Sequence, residues 1–418
     1  MIRLVFARPE RNEPTTATAP VAVLVAARDE DERIEATVAA LGAQFPGVEV
    51  IVADDGSRDA TAAAAERAGA VVLRLPRRGK GQALSAAERS APQGAVLLCD
   101  ADLVGDLRPL ASEAVDGIVV ARFAERIGGG FGIAKRAARA VIRLRTGLEV
   151  EEPLSGQRFV AAGARAAVFP LASGFGCETR MTIDAARAGL PVVEVPLPLS
   201  HRATGRDAAG FLHRARQLVD ALLAAGPLAV NHRGLRLPLV GWTVAVAHPS
   251  VGPVAAIGAA DDAWSGPERG FRAHLTTGRT TGVLKLLGIP LAGLAATRSL
   301  SGALLVGLSA NALNQLDTRP GRALKAYLLA ATALRAPRGI AVLLLPYDLR
   351  EMTMLGDAGA NALGALLGLK SVSRLTGRGR WLTIAALAGL NLLGERRSLG
   401  ELIERTPGLV QLDRWGRP

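Results

Sequence analysis

Hydrophobic residues in the first half of the chain fall into short runs that alternate with amphipathic segments. Four of these runs predict strands, at residues 21–27, 48–53, 71–75 and 96–99. Between the first two runs, Ile34, Val38 and Leu41 recur at helical spacing, and an alanine-rich helix is expected after the second. Strands that alternate with helices predict a parallel α/β sheet, whose ligands bind at the carboxyl ends of its strands.

A different pattern begins at residue 239. Residues 239–260 carry no acidic or basic side chain other than His248, and as one helix they would be long enough to span a bilayer. Shorter apolar segments follow at 286–296, 299–316, 326–334, 340–346, 358–369 and 381–393. Several fall short of the roughly 20 residues that a span needs, so we expect half-helices or re-entrant pieces among them. The second half is therefore predicted to be an all-α, polytopic membrane domain.

Composition and charge support this division. The chain has 418 residues and a formal net charge of +12, yet 49% of its residues are hydrophobic. A soluble nucleic-acid-binding protein is rarely this apolar, so we expect no nucleic-acid partner; apolar segments separated by arginine-rich loops are typical of a membrane protein with a cytosolic face. The two cysteines indicate neither a disulfide framework nor a metal knuckle. Residues 1–20 do not resemble a signal peptide, so the first domain is expected in the cytoplasm.

Acidic residues follow the predicted strands. Asp29 comes after the first strand, Asp54 and Asp55 after the second, and Asp100 and Asp102 after the fourth. Residues two apart on a strand point the same way, so Asp100 and Asp102 can share one Mg²⁺ or Mn²⁺ ion, which in turn binds a diphosphate. An Asp-capped turn is the ordinary alternative for that pair alone. Several acidic strand ends at one edge of a sheet favour a binding site.

Four motifs carry a resemblance to a known enzyme family. They are AARDE at 26–30, VADDGS at 52–57, GKGQAL at 79–84 and DAD at 100–102. Together they resemble family 2 glycosyltransferases of the dolichyl-phosphate-mannose synthase and glucosyl-phosphoglycerate synthase type. The resemblance implies an α/β GT-A (Rossmann-like) domain over residues 21–208, after a disordered tail. It also implies a nucleotide-sugar donor that is bound by residues of these motifs: Arg28, Glu30, Asp54, Asp55, Lys80 and Asp100.

Later motifs extend the resemblance. The sequence EPLSGQR at 152–158 resembles a loop that contacts donor or acceptor phosphate in this family, which implies a phosphate-binding role for Arg158. The sequence GFGCE at 174–178 resembles the start of the family's acceptor-side helix. Glu178 and Asp184 are accordingly the candidate catalytic bases.

The segment HRATGR at 201–206 resembles the part of the family that closes over the donor. The resemblance makes His201 a candidate metal ligand, and it makes Arg202 and Arg206 candidate phosphate ligands. A lone histidine is more often structural. In the mannose synthases a polar residue two positions after the second aspartate also binds metal, but this chain has Val104 there, so either His201 or water would complete the metal shell.

Polar residues inside apolar segments are costly and therefore point to function. Three clusters lie at the ends of such segments in the second half: Asp261 and Asp262; Asn311, Asn314 and Asp317; and Asp357 and Asn361. Helix caps and loop acids explain any one cluster but explain all three together poorly. Carboxylates and amides at several segment ends predict a shared Mg²⁺–diphosphate site.

These clusters resemble the polyprenyl-phosphate N-acetylhexosamine-1-phosphate transferases, which share an Asp-Asp pair, an N-x-x-N-x-x-D helix and an L-G-D-x-G motif. The resemblance implies a membrane domain at 239–418 behind an amphipathic connector at 209–238. It assigns catalysis to Asp261, Asp262 and Asp317, metal binding to Asp357, and supporting polar contacts to Asn311, Asn314 and Asn361. The chain departs from the family in having room for about six spans, no histidine cluster, and Thr-Arg-Pro-Gly after Asp317. The site is therefore either weakened or completed by a second subunit, as in a homodimer.

Three functions remain open from the sequence. The first is a bifunctional enzyme of the cytoplasmic membrane, multi-pass, which transfers a sugar to a polyprenyl-linked phosphate or diphosphate in cell-envelope glycan synthesis and also transfers a sugar-1-phosphate. The second is a single glycosyltransferase, with a soluble acceptor such as a glycerate, whose second half only anchors it. The third is a non-catalytic protein that binds a lipid carrier, which the set of acidic strand ends disfavours. The basic run KRAARAVIRLR at 135–145 is either a solvated helix face or a surface for anionic lipid, and we favour the latter.

Overall fold

The structure is a computed structural model, and it describes residues 19–102, 105–113, 115–123, 132–199, 208–264 and 280–417. The predicted disordered tail lies almost wholly outside these residues. The chain divides into two compact units after Gly226.

A seven-stranded sheet forms the centre of the first unit, in the order β3-β2-β1-β4-β6-β5-β7. Its strands are β1 (Ala22–Ala27), β2 (Glu49–Asp54), β3 (Val71–Arg74), β4 (Val96–Asp100), β5 (Ile118–Phe123), β6 (Arg158–Val160) and β7 (Val192–Leu197). The first four pair in parallel, which confirms the four predicted strands within one or two residues at each end. The sheet as a whole is mixed instead of parallel, because β6 runs antiparallel to both β4 and β5.

Eight helices accompany the sheet in the described part of this unit. They are α1 (Ile34–Gln44), α2 (Thr61–Arg67), α3 (Lys80–Ser90), α4 (Arg108–Ser112), α5 (Ile133–Thr146), α6 (Arg165–Val168), α7 (Cys177–Arg187) and α8 (Ala208–Ala225). β1, β2 and β4 are buried along nearly their whole length, which is why their sequences read as continuous apolar runs. The spaced residues Ile34, Val38 and Leu41 form the buried face of α1, as predicted.

The segment 209–238, predicted to be one connector, is divided between the two units. Its first part is α8, which packs against α5 and α7 and so belongs to the first unit. Its last part forms a short hairpin, β8 (Leu228–Val230) with β9 (Arg236–Pro238), in the second unit.

The second unit is otherwise helical where the structure describes it. Its helices are α9 (Thr243–Ala247), α10 (Gly252–Trp264), α11 (Thr280–Thr297), α12 (Leu300–Leu316), α13 (Arg322–Leu334), α14 (Gly339–Leu349), α15 (Gly356–Arg374), α16 (Gly377–Arg396), α17 (Leu399–Arg405) and α18 (Leu409–Arg414). α10, α11, α12 and α15 pack around one another as a bundle. Glycines let α15 approach α12 closely: a Cβ on Gly364 would lie 2.4 Å from the Ser309 carbonyl oxygen.

The predicted span at 239–260 does not form one helix. α9 ends at Ala247, a tight turn covers Pro249–Val251, and α10 begins at Gly252. Pro249 causes the break, because it lacks an N–H group and disfavours helical geometry at the preceding His248. Among the helices that the structure describes, none is both long enough and apolar enough to cross a bilayer.

Candidate functional site

The carboxyl ends of β1, β2, β3 and β4 meet at one edge of the sheet, because these strands pair in parallel. The antiparallel β6 adds the loop before it to the same edge. Arg158, its first residue, pairs with Leu98, two residues before the end of β4. The loop at 153–157 therefore lies beside Asp100, which a purely parallel sheet would not allow.

Three groups from this edge hold the Asp100 carboxylate. Lys80 Nζ lies 2.5 Å from Asp100 Oδ1, and Gln157 Nε2 donates to Oδ2 at 3.0 Å. Gly156 packs so closely that a Cβ on it would lie 2.4 Å from both carboxylate oxygens. The side chain of Asp100 is therefore fixed in one orientation at the end of β4.

Lys80 also joins Asp100 to Glu178. Its ammonium lies 2.7 Å from Glu178 Oε1, at the start of α7, and the Cys177 thiol donates to the other Glu178 oxygen at 3.0 Å. Burial lowers the pKa of Lys80, but Asp100 and Glu178 outweigh burial and raise that pKa well above its usual range. A permanently charged ammonium thus holds two carboxylates, from β4 and from α7, at the edge where ligands are expected.

The prediction that Arg158 binds phosphate is wrong for this structure. Its side chain is fully buried, and its guanidinium donates to the carbonyl oxygens of Ser155 and Pro153 and to Thr182 Oγ1. The acceptors of all three hydrogen bonds are therefore groups of the protein itself. Arg158 instead holds the loop that places Gly156 and Gln157 against Asp100.

The predicted nucleotide-binding aspartates shape the neighbouring loops. Asp55 accepts hydrogen bonds from the backbone N–H groups of Arg78 and Gly79, in the basic loop that leads to Lys80. Burial raises the pKa of Asp55, and these two N–H groups oppose that rise. Asp54 accepts from the backbone and hydroxyl of Ser57.

Arg28 and Glu30 follow β1 at the same edge. The Arg28 guanidinium pairs with Asp29 at 3.4 Å, and both side chains are well exposed. The backbone of Glu30 donates to Thr61, and its carboxylate pairs with Arg33. Both residues lie at the predicted ligand edge, and their contact with the donor stays a prediction.

Asp184 has a place different from the predicted one. It lies six residues after Glu178 on α7, about 9 Å along the helix. It forms a buried ion pair with Arg180, which also donates to the carbonyl oxygens of Ala224 and Gly226. This pair ties α7 to the end of α8, so Asp184 takes part in a structural contact, and its predicted role as a base stays a prediction.

The protein groups at this site supply only some of the ligands that a divalent metal ion needs. Asp100 ends β4 and Asp102 follows two residues later, and each oxygen of an ionised carboxylate has two lone pairs that can reach a cation. Within the described ranges no three acidic, histidine or cysteine side chains gather as a metal cage. Two carboxylates suit Mg²⁺ or Mn²⁺, which keep water and take substrate phosphates as further ligands. The predicted ligands His201, Arg202 and Arg206 lie outside the described residues.

We expect Gly156→Ala to abolish donor binding while leaving the first unit folded. The added methyl group would occupy space now held by the Asp100 carboxylate and would push it away from Lys80. Gly42→Ala is the matched control, because Gly42 lies in α1 with open space around its Cβ position, and alanine favours helix. Calorimetric titration with nucleoside diphosphate and Mg²⁺ checks both variants. Unchanged affinity in Gly156→Ala would show that Asp100 is not part of the donor site.

A second constellation lies within the second unit. Lys285, near the start of α11, contacts Asp261 Oδ2 at 3.0 Å and Asp357 Oδ2 at 2.6 Å. Asp262 accepts from the backbone N–H groups of Asp357 and Ala358, at the start of α15. The Asp-Asp pair and the L-G-D-x-G motif therefore meet, as the sequence predicts, around a lysine that sequence reasoning missed.

Asp317 belongs to the same constellation electrostatically. Removal from water raises its pKa well above the usual range, and the nearby charges of Asp348, Asp357 and Asp262 raise it further. Asp348, also missed from the sequence, accepts from the backbone of Gly321 at 2.6 Å, and burial raises its pKa to about 6. Asp261, Asp262 and Asp357 thus lie around Lys285, and the charges of Asp262, Asp348 and Asp357 act on Asp317; that all four predicted acids form one site stays a prediction.

The predicted asparagines divide between two places. Asn311 donates to Asn391 of α16 at 2.6 Å, so it joins two helices and does not face the acids as predicted. Asn314 lies one turn before Asp317 on the same helix, and Asn361 lies one turn after Asp357. Asn361 is buried, and its Nδ2 has no hydrogen-bond partner among the described residues.

Comparison with known proteins finds similar proteins for part of this chain. Residues 22–151 match the family model "Glycosyl transferase family 2". Glycosyltransferase AglJ of Haloferax volcanii is 31% identical over 170 residues, which are 38% of this chain and 56% of the relative. The chain therefore spans little more than half the length of that curated relative.

Solved structures of glucosyl-3-phosphoglycerate synthase from Mycobacterium tuberculosis are also similar. One in complex with Mg²⁺ and uridine diphosphate is 26% identical and covers 50% of this chain and 79% of its own, with a TM-score of 0.41. Another, without a named ligand, is 27% identical and covers 50% and 80%, with a TM-score of 0.42. Residues 22–151 are thus similar to family 2 glycosyltransferases, and they include the parallel strands whose acidic ends are described above.

Proposed function

We propose that the protein transfers a sugar from a nucleotide-sugar to a polyprenyl-linked phosphate or diphosphate, with Mg²⁺ or Mn²⁺ at Asp100 and Asp102. The observation that carries this proposal is the Asp100 carboxylate, fixed by Lys80 and Gln157 at the ligand edge of a family 2 domain. When bound, the metal ion neutralises charge on the donor diphosphate as the leaving group departs.

The residues of the chain supply binding and orientation. Asp54 and Asp55 set the shape of the loops where base and ribose would bind, through their hydrogen bonds to Ser57 and Gly79. Lys80 holds the Asp100 carboxylate in one orientation through a charge-assisted hydrogen bond. Gln157 limits rotation of the same carboxylate.

The acceptor follows from proton chemistry. A sugar or glycerate hydroxyl must lose a proton when it attacks, so it needs a carboxylate base within hydrogen-bond reach. Asp184 is engaged by Arg180, and both oxygens of Glu178 are engaged by Lys80 and Cys177. A lipid phosphate is already an anion near neutral pH and needs no base. The engagement of both candidate bases by other groups supports the phosphate acceptor.

The test is transfer of label from a panel of radiolabelled nucleotide-sugars by the purified full-length protein. Polyprenyl phosphate and polyprenyl-diphosphate-sugar are offered in detergent beside 3-phosphoglycerate. We expect metal-dependent label in the lipid extract, lost in Asp100→Asn. Label in water-soluble product alone would overturn the lipid acceptor and make Glu178 the base, whereas no transfer with any donor would overturn the enzymatic assignment.

A second activity is supported by the constellation around Lys285. Asp261, Asp262 and Asp357 gather at the end of α10 and the start of α15, which is the arrangement expected for a site that transfers a sugar-1-phosphate to polyprenyl phosphate. An apolar cavity of about 330 Å³ lies further along the same helices, lined by Val254, Ala292 and Ala365 among others. An isoprenoid chain fits such a lining, with its phosphate toward Lys285.

Separate assays distinguish the two activities. Release of uridine monophosphate from a uridine-diphosphate sugar reports the second site, and release of nucleoside diphosphate reports the first. Asp262→Asn should abolish only the former and Asp100→Asn only the latter. Absence of uridine monophosphate from the unaltered protein would leave a single-activity enzyme. Location at the cytoplasmic membrane, multi-pass, stays a prediction that carbonate extraction of cell membranes tests.

A further inference from the structure

The helix α5 separates its apolar and basic residues sharply. Ala138 and Ile142 are buried, and Ile142 packs with Ile183 of α7 and Ala225 of α8. The remaining surface carries the basic residues of the helix: Lys135, Arg136, Arg139, Arg143 and Arg145. The helix is therefore anchored on one side and strongly cationic on the other.

The two ends of α5 use their charges differently. Near its start, Lys135 pairs with Glu152, and Arg139 donates to the Glu151 carbonyl oxygen. In the last turn the Arg143 side chain is 71% exposed, and it lies 3.6 Å from an equally exposed Glu149. Ion pairs between such exposed side chains contribute little to the stability of the folded protein. The charges of the first turns stabilise the domain, and the charge of Arg143 is available to a partner.

Arg145 and Arg187 add a second cationic feature at the same end. Desolvation lowers the pKa of Arg145, and the nearby like charge of Arg187, in the last turn of α7, lowers it further. Among the described residues the Nε of Arg145 has no hydrogen-bond partner. An anion bound near the two guanidinium groups would relieve this repulsion.

Leu144 stands between Arg143 and Arg145 in the sequence. Its side chain is 84% exposed, more than any other large hydrophobic residue in the described part of the chain. An apolar side chain flanked by arginines suits the boundary between the headgroups and the acyl chains of a bilayer. There the arginines can contact phosphate while the apolar side chain is removed from water. A soluble anion would give Leu144 no apolar contact.

We propose that the last turn of α5 docks on an anionic lipid bilayer, with Leu144 among the acyl chains and Arg143, Arg145 and Arg187 against headgroup phosphates. The docking places the glycosyltransferase unit on the membrane surface and does not depend on which acceptor the enzyme uses. It would orient the unit for a lipid-borne substrate. Each arginine lost is expected to weaken partitioning about fivefold, as for basic residues near an anionic surface.

A fluorophore at position 144 tests the contact directly in the full-length protein. Both native cysteines, Cys99 and Cys177, are buried, so Leu144→Cys provides the accessible thiol for an environment-sensitive dye. Ser90→Cys, exposed at the end of α3, is the matched control. The probes are vesicles of phosphatidylcholine alone and of phosphatidylcholine with phosphatidylglycerol, both free of polyprenyl phosphate.

We expect a blue shift of the dye at 144 with the anionic vesicles only. The shift should weaken at high salt and in Leu144→Cys/Arg143→Glu, and the dye at position 90 should not respond. An equal response to both vesicle types would show that charge does not drive docking and would overturn the proposal. No response at 144 would overturn it too, as would a shift without vesicles that grows with protein concentration and so indicates self-association. Loss of transfer activity alone leaves these signals unchanged, so the test is independent of the proposed reaction.

Discussion

Lys80→Met is expected to reduce sugar transfer at least a hundredfold. The ammonium of Lys80 lies between the carboxylates of Asp100 and Glu178, at 2.5 and 2.7 Å, and its side chain is only 20% exposed. Without it, two mostly buried carboxylates face each other, and removing one partner of a buried ion pair costs on the order of 3–5 kcal/mol. Without the ammonium, the Asp100 carboxylate also loses the opposite charge that holds it in the orientation that a metal–diphosphate requires.

The double variant Lys80→Met/Glu178→Gln separates folding from function. Neutralising Glu178 removes the repulsion, so thermal unfolding of the double variant should return toward that of the unaltered protein. Transfer should stay low, because no cation holds Asp100. Steady-state kinetics at saturating Mg²⁺ or Mn²⁺ measures transfer. If Lys80→Met keeps transfer within about tenfold of normal, the ion-pair account of Asp100 is wrong.

Three of the strands could be predicted because they are buried on both faces. β1, β2 and β4 read as unbroken apolar runs that end in charge, and the charged residues mark the ligand edge. β6 escaped prediction, since Arg158–Val160 is three residues long and begins with a charged residue. Because β6 was not predicted, the contacts of Gly156 and Gln157 with Asp100 were not predicted either, although both residues belong to the EPLSGQR motif.

The structural role of Arg158 could not be predicted from the residue type and its local motif. An arginine in a glycine-containing loop suggests phosphate binding, and only the fold shows that backbone carbonyl groups surround its guanidinium. Lys285 was missed for a related reason: it precedes an apolar segment and resembles an ordinary flanking charge. Its contact with Asp261 and Asp357 depends on how three helices pack, and no local pattern records that.

The apolar stretch at 239–260 shows the limit of hydropathy. Its mean hydropathy is that of a membrane-spanning helix, but Pro249 ends one helix, and another begins at Gly252. The acids of the second half were predicted to converge because each lies at a segment end. Helices that alternate in direction bring such ends together, and α10, α11 and α15 do so around Lys285.

Arg158→Met is expected to lower both the stability and the activity of the first unit. The guanidinium donates to the carbonyl oxygens of Ser155 and Pro153 and to Thr182, all in a fully buried place. Methionine of similar length leaves these acceptors unsatisfied, which costs on the order of 3 kcal/mol. The loop that they belong to holds Gln157 against Asp100, so its release should also reduce kcat/KM by about tenfold or more.

Arg165→Met is the matched control. Arg165 is likewise buried and donates to the carbonyl oxygens of Pro92 and Gly94 and to Glu88. These groups precede β4, at the edge of the sheet opposite Asp100, so the substitution removes similar contacts away from the site. Urea unfolding followed by far-ultraviolet circular dichroism measures stability, and kcat/KM is compared at a temperature where both variants are fully folded.

Both variants should unfold at lower urea concentration, and only Arg158→Met should lose activity per folded molecule. Arg158→Lys distinguishes charge from geometry in the same assays. A lysine keeps the positive charge but cannot reach three acceptors in different directions as a planar guanidinium does, so we expect it to restore little of kcat/KM. Equal activity in Arg158→Met and Arg165→Met would show that the loop before β6 keeps its position without the buried arginine, and that Gln157 is placed by the backbone pairing of β6 with β4 alone.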